Sequence, residues 1–182
     1  MAMHENIESI LVSEEQLKQI ARELGEAVTR DYEGQELTVI TILKGGVTFA
    51  ADLCRHIALP VEMEFMEVSS YGNGTVSTGN IVIKKDTKSD VRGKNVLIAE
   101  DIVDSGNTLF YLKQLLLDRG AKSVKVCACL NKEARRVVPF EADYIGAEIP
   151  DVFAVGYGLD YAEKYRNLPY VGILKKEVYS NN

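Results

Sequence analysis

The run Val96-Leu97-Ile98-Ala99-Glu100-Asp101-Ile102-Val103-Asp104-Ser105-Gly106-Asn107-Thr108 restricts the fold of this chain more than any other segment. It opens with uninterrupted apolar residues, as in a strand covered on both faces. It turns acidic at Glu100 and Asp101, and again at Asp104, then passes through small, turn-forming residues. An amphipathic pattern follows over 109–116 and is closed by Gly120. Strand, acidic tip, glycine turn, helix: an open α/β sheet presents a ligand site in this way, at the carboxyl end of a strand.

The order of residues carries the chemistry. Backbone N–H groups of Ser105, Gly106, Asn107 and Thr108 at a helix amino end suit a phosphate dianion, and the two hydroxyls can add hydrogen bonds. Glu100 and Asp101 repel such a group, so their natural partners are hydroxyls or a divalent cation. An anion cradle beside paired carboxylates describes a sugar phosphate lying across the strand end. Helix capping and a solvated strand edge explain any one of these positions equally well, but not all of them together.

The rest of the chain extends the α/β pattern. Ser13-Glu14-Glu15-Gln16 is a capping-box sequence, and Leu17, Ile20, Ala21, Leu24 and Val28 recur at helical spacing, which predicts a helix over 13–32. A β-branched run over 37–43 predicts a buried strand ending at Lys44-Gly45-Gly46, and a helix follows over 47–57. That glycine pair fits a plain tight turn as well as a loop that lets a ligand approach the main chain. Strands are expected over 61–68, 80–84, 124–130 and 170–174, with the second pairing with the first. Between them, 69–79 has almost no aliphatic anchors and reads as a mobile loop, either a slack connection or a lid. The segment 84–90 reads as a solvated charged turn, and the last residues, 179–182, as a fraying tail. Strands alternating with helices mark a mainly parallel sheet flanked by helices.

Composition sets limits. With 182 residues, 46% hydrophobic and 26% charged, the chain is long and apolar enough for one domain with a real core. A net charge of −6 offers no basic field for general nucleic-acid binding. Three cysteines make no disulfide framework; Cys127 and Cys129, two apart in a strand-like run, read as small buried apolar residues on one face. No stretch reaches membrane-spanning length and the first residues lack a basic leader pattern, so a reducing cytoplasm is expected.

The Glu100-to-Thr108 motif resembles the phosphoribosyl-pyrophosphate signature of the type I phosphoribosyltransferases, in the form carried by the bacterial hypoxanthine-guanine phosphoribosyltransferases. Other segments extend the resemblance over nearly the whole chain. It implies the type I phosphoribosyltransferase fold over 1–182, with a core of about 35–145 and a small hood built from the N-terminal segment and about 146–182. It implies transfer of ribose 5-phosphate from phosphoribosyl pyrophosphate to N9 of hypoxanthine or guanine with Mg²⁺, in a homodimer or homotetramer. Leu43-Lys44-Gly45 is similar to the family's pyrophosphate loop, whose Leu–Lys peptide is often cis, and Arg166 matches its pyrophosphate arginine. Ser70-Tyr71 matches the Ser-Tyr of the catalytic flexible loop. Lys132 matches the lysine that donates to the purine 6-oxo group, although Asn131 stands where the family usually has Asp. In the segment 148–160, Phe153 would stack on the purine, and Val152 and Ala154 would offer backbone groups to its edge. Asp160 would lie near the exocyclic side and a metal, with Glu100 and Asp101 on the ribose and metal side, directly or through water. Ser105 to Thr108 would hold the 5′-phosphate, and Asp104 would face N7 as the catalytic carboxylate. The alternatives are a xanthine-preferring transferase, an RNA-binding pyrimidine-operon regulator on the same fold, and a nucleotide-binding module without turnover. The acidic balance and the purine-type motif at 152–160 stand against the regulator.

Overall fold

A computed structural model describes residues 3–70 and 81–180. The chain begins with a 3₁₀ turn at Met3–Asn6 and strand β1 (Ile7–Val12), then helix α1 (Glu14–Asp31). Strand β2 (Leu37–Leu43), helix α2 (Val47–His56), β3 (Val61–Ser70), β4 (Ile81–Lys85) and β5 (Asn95–Val103) follow. Helix α3 (Asn107–Asp118), β6 (Ser123–Asn131), β7 (Tyr144–Glu148), β8 (Ala154–Val155), β9 (Val171–Leu174) and a single turn, α4 (Lys176–Tyr179), complete it. The Ser13 side chain accepts from the Gln16 amide while the Gln16 side chain accepts from the Ser13 amide, so both halves of the expected capping box form.

Six strands form the main sheet in the order β4-β3-β2-β5-β6-β7. All neighbours are parallel except the edge pair β3–β4. From β2 the chain crosses to β3 on one side, whereas β5 adds to β2 on the other. The order therefore reverses between β2 and β5, and a crevice opens at their carboxyl ends, the usual ligand position in such a sheet. Two cores explain why the central strands are apolar throughout. Leu17, Ile20, Leu24 and Val28 of α1 and Phe49 and Leu53 of α2 pack on Val39, Leu97, Ala99, Cys127 and Cys129. On the opposite face Leu109, Leu112 and Leu116 of α3 pack on Ile40, Ile98, Val126 and Ala128. The paired cysteines are thus buried on one face, and burial pushes both thiols up.

A separate three-stranded sheet, β1-β9-β8, is antiparallel and joins residues from both ends of the chain. Val155, Tyr165, Leu168 and Leu174 make its own small core. Tyr179, expected to fray, instead closes α4 and packs against that core. The segment 84–90 is also less free than its charge suggests. Burial raises the carboxyl of Glu64 on β3, but hydrogen bonds from Ser89 and the amides of Ser89 and Lys88 outweigh it and hold the group below its ordinary value. Those bonds tie the turn to the sheet.

Candidate active site

Three strand ends and one long loop meet at the crevice. At the first, the Leu43–Lys44 peptide is cis and Gly45-Gly46 turns the chain into α2. Packing decides why glycine stands there: a Cβ on Gly45 would lie 1.9 Å from Asp101 Oδ2, and one on Gly46 2.9 Å from the Ala99 carbonyl. The Lys44 ammonium lies 2.9 Å from Glu163 Oε2.

At the second strand end, β5 runs out through Glu100 and Asp101, which are both buried although they are acidic. Burial pushes the Glu100 carboxyl well up, and the neighbouring Asp101 charge adds to it. Burial also raises Asp101, opposed by the Ile102 amide and the Arg166 charge. The Ile102 amide donates to Asp101 Oδ1 at 2.7 Å and the Asp101 amide to Glu100 Oε1 at 3.1 Å. Gly106, at φ +84°, turns the chain into α3 in the left-handed region that other residues resist. The Asn107 amide is not wholly free for an anion, since it donates to Ser105 Oγ at 3.4 Å.

A cavity of about 430 Å³ covers this end, lined by Gly45, Glu100, Asp101, Ser105, Thr108 and Arg166 among others. A second, of about 330 Å³, is lined by Lys132, Val152, Phe153, Ala154 and Asp160. Ile102 and Asp104 line both, so the Asp104 carboxylate stands where the two meet. Among the described residues, two polar atoms here make no hydrogen bond: Asp104 Oδ1, which has Arg135 Nε 3.4 Å away as an ion-pair neighbour, and Arg166 Nε. Unmet groups of this kind call for a partner that arrives from outside.

The third strand end supplies Lys132. Its ammonium is buried and donates to the Val152 carbonyl at 2.9 Å, with Asp151 Oδ1 3.9 Å away. Asn131 does not touch that ammonium: its side chain accepts from Arg136 and donates to Glu148 Oε1. Arg136 also donates to the Asp104 carbonyl at 2.5 Å. Phe153, on the loop before β8, is 39% exposed and lines the second cavity. Asp160 is occupied on both oxygens, by Arg166 Nη2 at 2.9 Å and by the Glu163 amide at 2.9 Å.

The structure thus gathers Glu100, Asp101, Asp104, Ser105, Gly106, Thr108, Gly45 and Arg166 around one cavity, and Lys132, Val152, Phe153, Ala154 and Asp160 around its neighbour. Asn107 sits behind the first cavity as the opening residue of α3. Of the expected lid pair, the Ser70 side chain and all of Tyr71 lie outside the described residues. Sequence reasoning missed Arg135, which stands 3.4 Å from Asp104 and 3.7 Å from Asp151, and Glu163, which bridges Lys44 and Arg166. Neither carries a spacing signal, because both meet their partners only through loop geometry.

The buried carboxylate pair offers hard oxygen donors of the kind Mg²⁺ takes one or two at a time, with water and phosphate oxygens completing its shell. Among the described residues no three His, Cys, Asp or Glu side chains converge as a complete cage. Among them also, no helix is long and apolar enough to cross a membrane.

Comparison with known proteins gives the same picture. A phosphoribosyl transferase domain model matches residues 8–162. The chain is 54% identical to the bifunctional protein TilS/HprT of Listeria innocua over 98% of its own length, but spans only 28% of that longer relative. It is 50% identical to the hypoxanthine-guanine phosphoribosyltransferase of Bacillus subtilis, covering 98% of this chain and 99% of that one. Among solved structures, a hypoxanthine phosphoribosyltransferase from Staphylococcus aureus superposes with a TM-score of 0.97 at 47% identity, over 100% of this chain and 98% of the other.

Proposed function

This chain belongs to the phosphoribosyltransferase family, and on that premise we propose that it salvages purines. It transfers ribose 5-phosphate from phosphoribosyl pyrophosphate to N9 of hypoxanthine or guanine, giving IMP or GMP and pyrophosphate. The observation that carries this reading is the placement of Asp104 on the shared wall of the two cavities. A sugar phosphate in one and a flat base in the other bring N9 and the anomeric carbon together beside that carboxylate.

Each residue then has a part. Ser105, Gly106, Asn107 and Thr108 hold the 5′-phosphate at the start of α3, where the helix dipole favours an anion. Glu100 and Asp101 hold the ribose hydroxyls. Gly45, Lys44 and Arg166 bind the pyrophosphate, and Arg166 gives up Asp160 to do so. Mg²⁺, held on the Glu100–Asp101 side, would offset charge on the departing pyrophosphate. Asp160, on the wall of the neighbouring cavity, would be a further oxygen donor toward the metal only if Arg166 releases it. As the N9 bond forms and the bond from the anomeric carbon to pyrophosphate breaks, Asp104 accepts or shares the purine N7 proton. Phe153 stacks on the base, with the Val152 and Ala154 backbone at its edge. Lys132 has donors only, so its ammonium favours a 6-oxo acceptor and opposes a 6-amino donor. The small sheet β1-β9-β8 forms the hood over the base.

The test is nucleotide formation from phosphoribosyl pyrophosphate with hypoxanthine, guanine, xanthine, adenine, uracil and orotate in turn. Hypoxanthine and guanine are expected to turn over, and adenine to be slower by about 10⁴–10⁵-fold, because its 6-amino donor faces the donor-only ammonium of Lys132. Turnover of adenine comparable to hypoxanthine would overturn the lysine's role. A dominant xanthine rate would favour the xanthine-preferring reading.

A further inference from the structure

The second cavity presents one aromatic face, and that ring packs against two others. Phe153 stacks on Tyr179 with ring centroids 4.8 Å apart and planes 21° from parallel, while Tyr161 meets it edge-on at 5.7 Å and 84°. Phe153 lines the cavity and Tyr179 does not. The same terminal segment also fixes the backbone: the Leu174 amide donates to the Phe153 carbonyl at 2.9 Å, and Ala154 pairs with Ile173. The turn that carries Tyr179 is anchored in its own right. The Lys175 amide donates to the Asn6 carbonyl, and Val178 and Tyr179 pack against the small core of Val155, Tyr165, Leu168 and Leu174.

Phe153 lies just ahead of the two-residue strand β8 and is 39% exposed, so its flanking rings are what restrict its torsions. A ring that must sweep between rotamers offers a base a stacking face only part of the time, and binding then bears the cost of fixing it. We propose that Tyr179 is a positioning residue for the purine: its ring holds Phe153 in the orientation that stacks on the base, so the end of the chain sets base affinity without touching substrate. This role rests on the purine-salvage reading given under Proposed function and deepens it.

Base and ribose phosphate should respond separately. The phosphate-side cavity shares no lining residue with Tyr161 or Tyr179, so ribose-phosphate binding is expected to be indifferent to the tyrosine. The experiment measures steady-state kinetics with hypoxanthine and phosphoribosyl pyrophosphate for wild type, Tyr179→Ala, Tyr179→Leu and Tyr179→Phe. Calorimetric titration with GMP and with ribose 5-phosphate accompanies it. Tyr179→Ala is expected to raise the KM for hypoxanthine by about two- to twelvefold, the worth of an aromatic pair converted at 1.4 kcal/mol per tenfold, with kcat and the KM for phosphoribosyl pyrophosphate unchanged. GMP affinity falls by the same factor and ribose 5-phosphate affinity holds. Tyr179→Phe keeps the ring and restores wild-type values. Tyr179→Leu keeps apolar bulk in the small core, so it carries the test if the alanine variant fails to fold, and it too raises the KM for the base. An unchanged KM for the base in Tyr179→Leu, or an equal rise in both KM values, overturns the proposal. A wild-type protein that forms no nucleotide from either base instead overturns the function on which it rests.

Discussion

In the proposed reaction two side chains carry most of the chemistry, and each has a measurable signature. Asp104 combines a carboxylate whose Oδ1 is paired at 3.4 Å, with Arg135, and a position between two cavities. Asp104→Asn keeps the shape and removes the basic oxygen, so turnover with hypoxanthine is expected to fall about 10²–10⁴-fold with the fold intact. A near-wild-type rate would exclude proton transfer at this position. Lys132 is a buried cation held by a carbonyl at 2.9 Å, an arrangement that tolerates a second acceptor better than a donor. Lys132→Met deletes a charged hydrogen bond worth about 1.5–3 kcal/mol, so kcat/KM for hypoxanthine should drop about 10–10²-fold while adenine changes little. That ratio, measured side by side, tests whether the ammonium reads the 6-position.

At the scale of elements, turns matter more than helices. The Gly45 turn and the loop through Gly158 touch backbone to backbone: a Cβ on Gly158, itself at φ +104°, would lie 2.1 Å from the Gly45 carbonyl. Gly158→Ala therefore combines a strained backbone with overpacking, and is expected to cost roughly 2–5 kcal/mol by urea denaturation. Its effect should also reach the pyrophosphate loop, visible as a raised KM for phosphoribosyl pyrophosphate. The cap of α1 is a contrasting case. Ser13→Ala removes one hydrogen bond of the capping box and should cost about 0.5–2 kcal/mol, with no change in either KM, because α1 lies on the outer face of the sheet away from the crevice. Central strands declared themselves as apolar runs since helices cover both their faces. The edge strand β4 was legible too, but β1 and β7 were not. β1 has a burial pattern with no alternation and an Ile10 that is 57% exposed, and β7 is a short edge strand containing Gly146. That glycine would ordinarily argue against a strand, yet a Cβ there would lie 2.4 Å from the Cys129 carbonyl and 2.3 Å from Ile20 Cγ2. Its reason is close packing against a helix distant in sequence.

For the whole molecule, the carboxylate pair links site and stability. Glu100 and Asp101 both titrate higher in the fold than in the unfolded chain, so between the ordinary value, 4.5 for Glu100, and the raised one the fold binds more protons. Stability therefore falls as pH rises through that window. Glu100→Gln is expected to raise the thermal midpoint at neutral pH and to make no difference well below pH 4.5, at the expense of activity, and scans at the two pH values check it. Much of this protein was legible in one dimension: the alternation of strands and helices, the acidic tip and glycine turn after β5, and the capping box of α1. These depend on residues within a few positions of one another, where periodicity and turn chemistry act directly. The sequence motif also singled out Lys132, Phe153 and Arg166 by resemblance, but their surroundings were decided in three dimensions. Arg166 pairs with Asp160, Lys44 turns to Glu163, Asn131 bridges Arg136 and Glu148 instead of holding Lys132, and Tyr179 stacks on Phe153. Such partners lie on separate loops, and pairing across loops is set by how the sheet and hood bring chain ends together, for which no local spacing rule exists.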